Sequence, residues 1–254
     1  MRGDPSLRRA EAVLIAEGLH LAHEALTSGV EIELVVVAPE LEGLAEGRRI
    51  LSSIDDRSLE CVETSASVLG SLQDARTPQP ILMLVKRPRW ATDEALAAAP
   101  LVVVTQGVQD PGNLGSLVRT ADAAGAAACF VGEGCADPYH PRAVRATMGS
   151  IFRLPLFPEP GARTIGRLRQ RNVRLVGTDP RDGVDYHRAV LTGAAALFFG
   201  GEGGGLAESW RAAMDFWVRV PMRAGVESLS VGAAASVLLF EAARQRGEAQ
   251  PSIL

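Results

Sequence analysis

Near the C-terminus an apolar run, Leu197-Phe198-Phe199, passes into five glycines interrupted only by Glu202. A run this apolar predicts a buried strand. Glycines at its end leave bare backbone at a strand terminus, where open α/β sheets bind ligands. Two other stretches repeat the arrangement. A second strand, Trp217–Met222, ends in Val220-Pro221-Met222, and a serine-bounded turn then opens a long apolar helix, Glu227–Arg246. An earlier strand ends in the loop within Val104–Gly125. Against this plain background one carboxylate, Glu202, and one helix arginine, Arg119, stand out.

The 254 residues suffice for one large domain or two smaller ones. With 47% hydrophobic and 22% charged residues, the chain reads as a globular protein with a real core. No apolar run reaches the ~18 residues of a membrane span, and MRGDPSLRRAEAVL lacks the apolar centre of a secretory signal. Cys61, Cys129 and Cys135 form no C-x-x-C pair and are odd in number. Free thiols in a reducing cytoplasm, without structural zinc or other metal, are the expectation.

A net charge of −4 excludes a generally basic nucleic-acid binder, but the charge is unevenly spread. Residues 1–95 carry −6 and residues 96–254 carry +2. Residues 142–181 hold nine arginines against Glu159 and Asp179. Such a stretch either binds phosphates or forms a solvated helix face.

Residues 11–95 alternate helix and strand. Strands are expected at 32–38, 58–64 and 81–87, with a strand-then-helix stripe at 11–28; alternation of this kind implies a mainly parallel sheet. Residues 88–100 read as a linker, and the pattern restarts at Leu101. Asn113 is the expected N-cap of the helix that ends near Gly125. A strand is expected over 152–157, then an arginine-rich helix, three further strands and a closing helix from Val231. The boundary therefore falls between residues 1–95 and 96–254.

Gly115, Arg119 and Asp122 follow helical spacing. Helical side chains lean toward the N-terminus, which carries Arg119 over Gly115 toward the loop after a strand. Gly200–Leu206 lacks the Lys-Ser/Thr of a P-loop and does not fit G-x-G-x-x-G. Its central carboxylate would repel a phosphate, so the glycines suit close backbone approach to a neutral or cationic ligand.

Taken together, these residues resemble the SpoU (TrmH) branch of the SPOUT RNA methyltransferases. The motif N-x-G-x-x-x-R is similar to Asn113-x-Gly115-x-x-x-Arg119, and G-x-E-G-x-G-L to Gly200–Leu206. The third motif resembles Val220-Pro221-Met222 with Ser228-Leu229-Ser230-Val231, Ser230 standing where the family usually has asparagine. Arg145–Leu156 also follows the family style, and residues 11–28 resemble the start of the substrate-binding domain that many members carry. The resemblance implies a trefoil-knotted C-terminal SPOUT domain over 96–254, with a mainly parallel α/β sheet. A small α/β RNA-binding domain over 1–95 would precede it. It implies S-adenosylmethionine as cofactor, a homodimer, and methyl transfer to a ribose 2′-hydroxyl of rRNA or tRNA in the cytoplasm. Thr178, Gly200, Val220, Met222 and Leu229 would hold the cofactor. Asn113, Arg119, Glu202 and Ser230 would form the catalytic group, Glu202 orienting Arg119. A catalytically weak RNA-binding relative is the alternative, motivated by Ser230 and by the acidic N-terminal unit; intact Asn113, Arg119 and Glu202 argue against it.

Overall fold

A computed structural model describes residues 10–75, 77–97, 99–201 and 203–247. In chain order the first elements are β1 (Val13–Glu17), α1 (Leu19–Thr27), β2 (Ile32–Val37), α2 (Ala45–Asp56), β3 (Cys61–Glu63), α3 (Ala66–Leu72) and β4 (Ile81–Lys86). There follow α4 (Thr92–Ala95), β5 (Leu101–Gln106), α5 (Pro111–Ala123), β6 (Ala128–Val131) and α6 (Pro141–Thr147). The remainder is β7 (Leu156–Pro158), α7 (Gly161–Gln170), β8 (Arg174–Thr178), β9 (Val184–Asp185), β10 (Ala195–Gly200), α8 (Glu208–Arg211), β11 (Phe216–Arg219) and α9 (Val231–Arg246). The chain divides into two compact units. One comprises residues up to Arg89 with Asp137–Arg153; the other comprises Trp90–Ala136 with the residues from Leu154 onward.

The first unit is a four-stranded sheet ordered β1-β4-β2-β3. It is mixed rather than mainly parallel as alternation predicts. β4 runs antiparallel to both β1 and β2, and only β2 and β3 are parallel. The apolar pattern of β4 shows that the strand is buried. That pattern is the same whichever way the strand runs, so direction was not legible. Segment 137–153 is joined to this unit by packing of α6 against β1 and by charge. Glu17, buried at the end of β1, accepts from Asp74 N–H at 2.7 Å and from the guanidinium of Arg145. Arg153 pairs with Glu24, and the Arg87 guanidinium lies 4.0 Å above the Tyr139 ring. Residues 150–152 form a 3₁₀ turn, so the strand expected over 152–157 begins only at Leu156. Pro155 sits at the transition, where its missing N–H cannot extend the ladder.

The second unit is a seven-stranded sheet ordered β7-β6-β5-β10-β8-β11-β9, parallel at every described pairing. β10 lies at its centre, with Ala195–Phe199 buried. Phe198 and Phe199 each contribute about 2–3 kcal/mol of apolar burial. Trp210 closes one end of the core, edge-on to Phe198 at 5.8 Å. Its indole fills the space beside two glycines: a Cβ on Gly161 would sit 1.7 Å from the ring, and one on Gly132 2.6 Å.

The helix expected to start at Asn113 begins earlier. Asp110 is the cap, its carboxylate accepting the Asn113 N–H at 2.8 Å, and Pro111 opens the first turn. Proline at N1 brings a preset φ and no N–H to satisfy, which favours the earlier start. On the far side of the sheet order, α9 packs against α5, where Gly232 meets Ser116.

Candidate cofactor and active site

The site is built from three strand ends. β8 stops at Thr178, whose hydroxyl donates to the Phe198 carbonyl at 2.8 Å. This ties the end of β8 to the neighbouring strand β10. β10 stops at Gly200, where a Cβ would lie 2.2 Å from the Gly205 carbonyl carbon. At Gly201 a Cβ would lie 1.8 Å from the Gly107 carbonyl oxygen, in the loop after β5. The glycines therefore let two loops and one turn pass at backbone distance. Gly201 N–H donates to Gln106 O at 2.8 Å, Gly205 N–H to Gly201 O at 3.1 Å, and Ala207 N–H to the Gln106 side chain at 2.8 Å. Gly203 and Gly204 face open space where a Cβ would stand. β11 ends in Arg219, and Val220-Pro221-Met222 continue into an exposed turn closed by Val226 N–H to Arg223 O.

These ends surround one cavity of about 410 Å³. That size suits a nucleoside-bearing ligand. Thr178, Gly200, Val220, Met222 and Leu229 all line it. Main chain at the strand ends and open space above the glycines fit a cofactor held by backbone contacts.

Three of the four expected catalytic residues lie elsewhere or at the margin. Ser230 is exposed next to the lining residue Leu229, and its hydroxyl accepts the Ala233 N–H at 3.3 Å, capping α9. Asn113 is half-buried and Arg119 exposed on α5; neither lines the cavity. Glu202 lies outside the described residues.

Sequence reasoning missed the charged wall. Asp179 and Arg211 both line the cavity and pair at 2.8 Å. The Arg211 guanidinium carbon also lies 4.1 Å over the Trp217 ring centroid. Burial pushes the Asp179 carboxyl upward, but hydrogen bonds from Arg181 N–H and Arg211, with the Arg211 charge, outweigh it and hold the group below the usual carboxylate range. No short-range pattern links residues 179, 211 and 217, so only tertiary structure reveals them.

The arginine-rich stretch is mostly neutralised within each unit. In the second, Arg163 and Arg167 approach Glu159 at 3.4 and 3.5 Å, Arg169 pairs with Asp215 at 2.7 Å, and Arg171 pairs with Asp93. Of the two readings, the geometry favours a paired face over a phosphate patch. Among the described residues no group of three or more His, Cys, Asp or Glu could hold a metal ion, and no helix is long and apolar enough to cross a membrane.

A parallel α/β sheet whose glycine-rich strand ends enclose a cavity of this size defines an enzyme domain built to hold a nucleoside-type cofactor. Residues 100–240 match the SpoU rRNA Methylase family, and residues 6–83 match the MRM3-like substrate binding domain. The chain belongs to the SpoU rRNA methylase family. It is 32% identical over 226 residues to the 23S rRNA (guanosine(2553)-2′-O)-methyltransferase RlmP of Bacillus subtilis (strain 168), covering 89% of this chain and 86% of that protein. It is 29% identical over 254 residues to a 23S rRNA (uridine(2479)-2′-O)-methyltransferase of Streptomyces viridochromogenes, covering 96% and 87%. The crystal structure of the SpoU methyltransferase AviRb from Streptomyces viridochromogenes, in complex with AdoMet, superposes with a TM-score of 0.86 at 27% identity. That match covers 98% of this chain and 96% of that one.

Proposed function

We propose that this chain transfers a methyl group from S-adenosylmethionine to the 2′-hydroxyl of one ribose in 23S ribosomal RNA. The observation that carries the reading is the convergence of Thr178, Gly200, Val220, Met222 and Leu229, drawn from three separated segments, on one cavity. Relatives whose names specify 23S rRNA 2′-O-methylation support the choice of RNA. When bound, the cofactor supplies an electrophilic methyl group on a sulfonium. The chain's own task is to hold, orient and neutralise. Backbone at Gly200, Val220 and Leu229 holds the cofactor's neutral portion, and Thr178 stiffens the rim.

Arg119 is exposed, as a group that meets RNA must be. An arginine with a pKa above ~12 is a poor base. Its role is to clamp the phosphate beside the target ribose, or the alkoxide that develops on it. Glu202 orients Arg119, while Asn113 and Ser230 order the site through hydrogen bonds. In this reading residues 1–95 select the RNA, residues 96–254 form the knotted methyltransferase domain, and the enzyme works as a homodimer in the cytoplasm.

The test is transfer of tritium from labelled cofactor to 23S rRNA, with the methylated nucleotide then mapped. Transfer to ribose 2′-oxygen is expected. Cofactor binding without transfer to any ribosomal or transfer RNA would favour a binding protein instead. Light scattering tests the dimer; a monomer at micromolar concentration would overturn that part alone.

A further inference from the structure

The cavity is uneven in charge. Glycine main chain, Val220, Met222 and Leu229 make most of its wall neutral. Its charged lining comprises Asp179 from the loop after β8, Arg211 from the end of α8, and Arg181, Arg219 and Glu227; Asp179 and Arg211 are the two that pair with each other. Arg211 Nη1 donates to Asp179 Oδ2 at 2.8 Å, and the guanidinium carbon lies 4.1 Å from the Trp217 ring centroid. Asp179 Oδ1 accepts the N–H of Arg181 at 2.8 Å and of Asp182 at 3.3 Å. The two side chains are 19% and 31% exposed for Asp179 and Arg211, so both are largely withdrawn from water yet reachable from the cavity. Arg219, another lining cation, is already engaged by Asp185 at 2.7 Å.

We infer that Asp179 and Arg211 form a socket for a zwitterionic amino-acid head group, the carboxylate seated on Arg211 and the ammonium on Asp179. The inference rests on the cofactor reading above and extends it, naming the residues that distinguish the cofactor from a plain nucleoside. A guanidinium carries five N–H donors. One goes to Asp179, and the Arg211 guanidinium makes no further hydrogen bond to a described residue. A guanidinium held by a carboxylate on one nitrogen and lying over an indole has its position restricted, which favours capture of a carboxylate by its remaining donors. A carboxylate has about four acceptor positions. Three on Asp179 are used, leaving room for one ammonium donor.

The pairing also answers the cost of burial. A single charge on a partly dry wall would have to be stripped of water, whereas a preformed pair is already compensated. An incoming zwitterion brings one charge of each sign and extends the pair into a four-charge array. No bare charge is buried, and the neutral adenosine portion faces the neutral wall.

A purely structural brace would also join the loop after β8 to α8, so the test must separate the two roles. Two ligands do so: S-adenosylhomocysteine, which keeps the amino-acid head, and 5′-methylthioadenosine, which lacks it. Binding of each is measured by calorimetry to the full chain and to Arg211→Gln. The expected result is a loss of about tenfold or more for S-adenosylhomocysteine, the scale of one charge-assisted contact. Binding of 5′-methylthioadenosine should stay within about twofold. Asp179→Asn should act in the same direction. Equal weakening of both ligands in Arg211→Gln would mean a brace only, and no weakening of either would mean no contact; each result overturns the socket while the cofactor reading stands. If the unaltered chain binds neither ligand, the cofactor reading itself fails and takes the socket with it.

Discussion

Trp210 explains two glycines that the sequence leaves unmotivated. Its ring occupies the volume a Cβ on Gly161 would need. Gly161→Ala should destabilise by about 1–3 kcal/mol, the usual cost of overpacking a filled core. Thermal unfolding checks this, and an unchanged midpoint would show that the indole moves freely. Arg119, proposed as the phosphate clamp from motif spacing, is exposed on α5. Arg119→Ala should leave cofactor affinity nearly unchanged and lower turnover by ~10²-fold or more. Lysine should rescue poorly, since a point charge cannot reproduce the fork; normal turnover in the alanine variant would remove Arg119 from the mechanism. Ser230 caps α9 as its position predicts. Ser230→Asn should keep the thermal midpoint and keep or raise activity, because the two residues cap about equally well. Ser230→Ala should lose ~1 kcal/mol through the missing cap. An asparagine variant that binds cofactor and RNA but cannot methylate would show that serine is a specific adaptation. Asn113 was misassigned as a cap because the Asp110-Pro111 pair, a stronger start signal, lies three residues earlier.

At the scale of elements, α9 is secured near its end by a small polar network. Glu241 accepts from Arg244 at 2.8 and 2.9 Å and from Gln245 at 2.8 Å. Gln245 in turn donates to Ala189 O and accepts from Leu191 N–H, each at 2.8 Å. The hydrogen bond with Arg244 is the main cause that lowers the Glu241 carboxyl to about 2, against a resisting desolvation. A carboxyl lowered on folding contributes stability that is complete above its unfolded value of about 4.3. That contribution fades as pH falls toward the folded value of about 2. Acid unfolding of Glu241→Gln should therefore show a shallower loss of stability between roughly pH 4 and pH 2 than the parent chain. Identical acid profiles would mean the network contributes nothing. The arginine-rich helix α7 carries the opposite lesson. Its charge density was legible, but Glu159, Asp215 and Asp93, which neutralise much of it, come from three places in the chain. A local count of charge cannot include partners that arrive only on folding.

At the scale of the whole molecule, the interplay of segment 137–153 with the first unit alters what a simple cut would do. Glu17 holds Arg145 with its carboxylate almost wholly buried, and a second oxygen serves Asp74 N–H. Glu17→Gln should cost about 2 kcal/mol, the range for hydrogen bonds to charged groups in a partly exposed pair. An unshifted denaturation midpoint would show that solvent replaces the carboxylate. A fragment of residues 96–254 should retain cofactor binding, because the cavity lies wholly within Thr178–Leu238. It should lose most RNA methylation and melt at lower temperature than the full chain, since Arg145 and Arg153 are left without Glu17, Asp74 and Glu24. A fragment blind to cofactor by calorimetry would refute this division of labour. Sequence alone determined most of the strands of the larger sheet, the buried run that ends in glycines at Gly200, and the closing helix from Val231. Those follow from apolar runs, glycine clusters and the serine cap at Ser230, which are local and carry their physics in neighbouring residues. Tertiary structure decided the direction of β4, the unit that claims residues 137–153, and the pairing of Asp179 with Arg211 against Trp217. Each depends on groups far apart in the chain meeting in space, and the free energy of such a meeting is absent from any window of sequence.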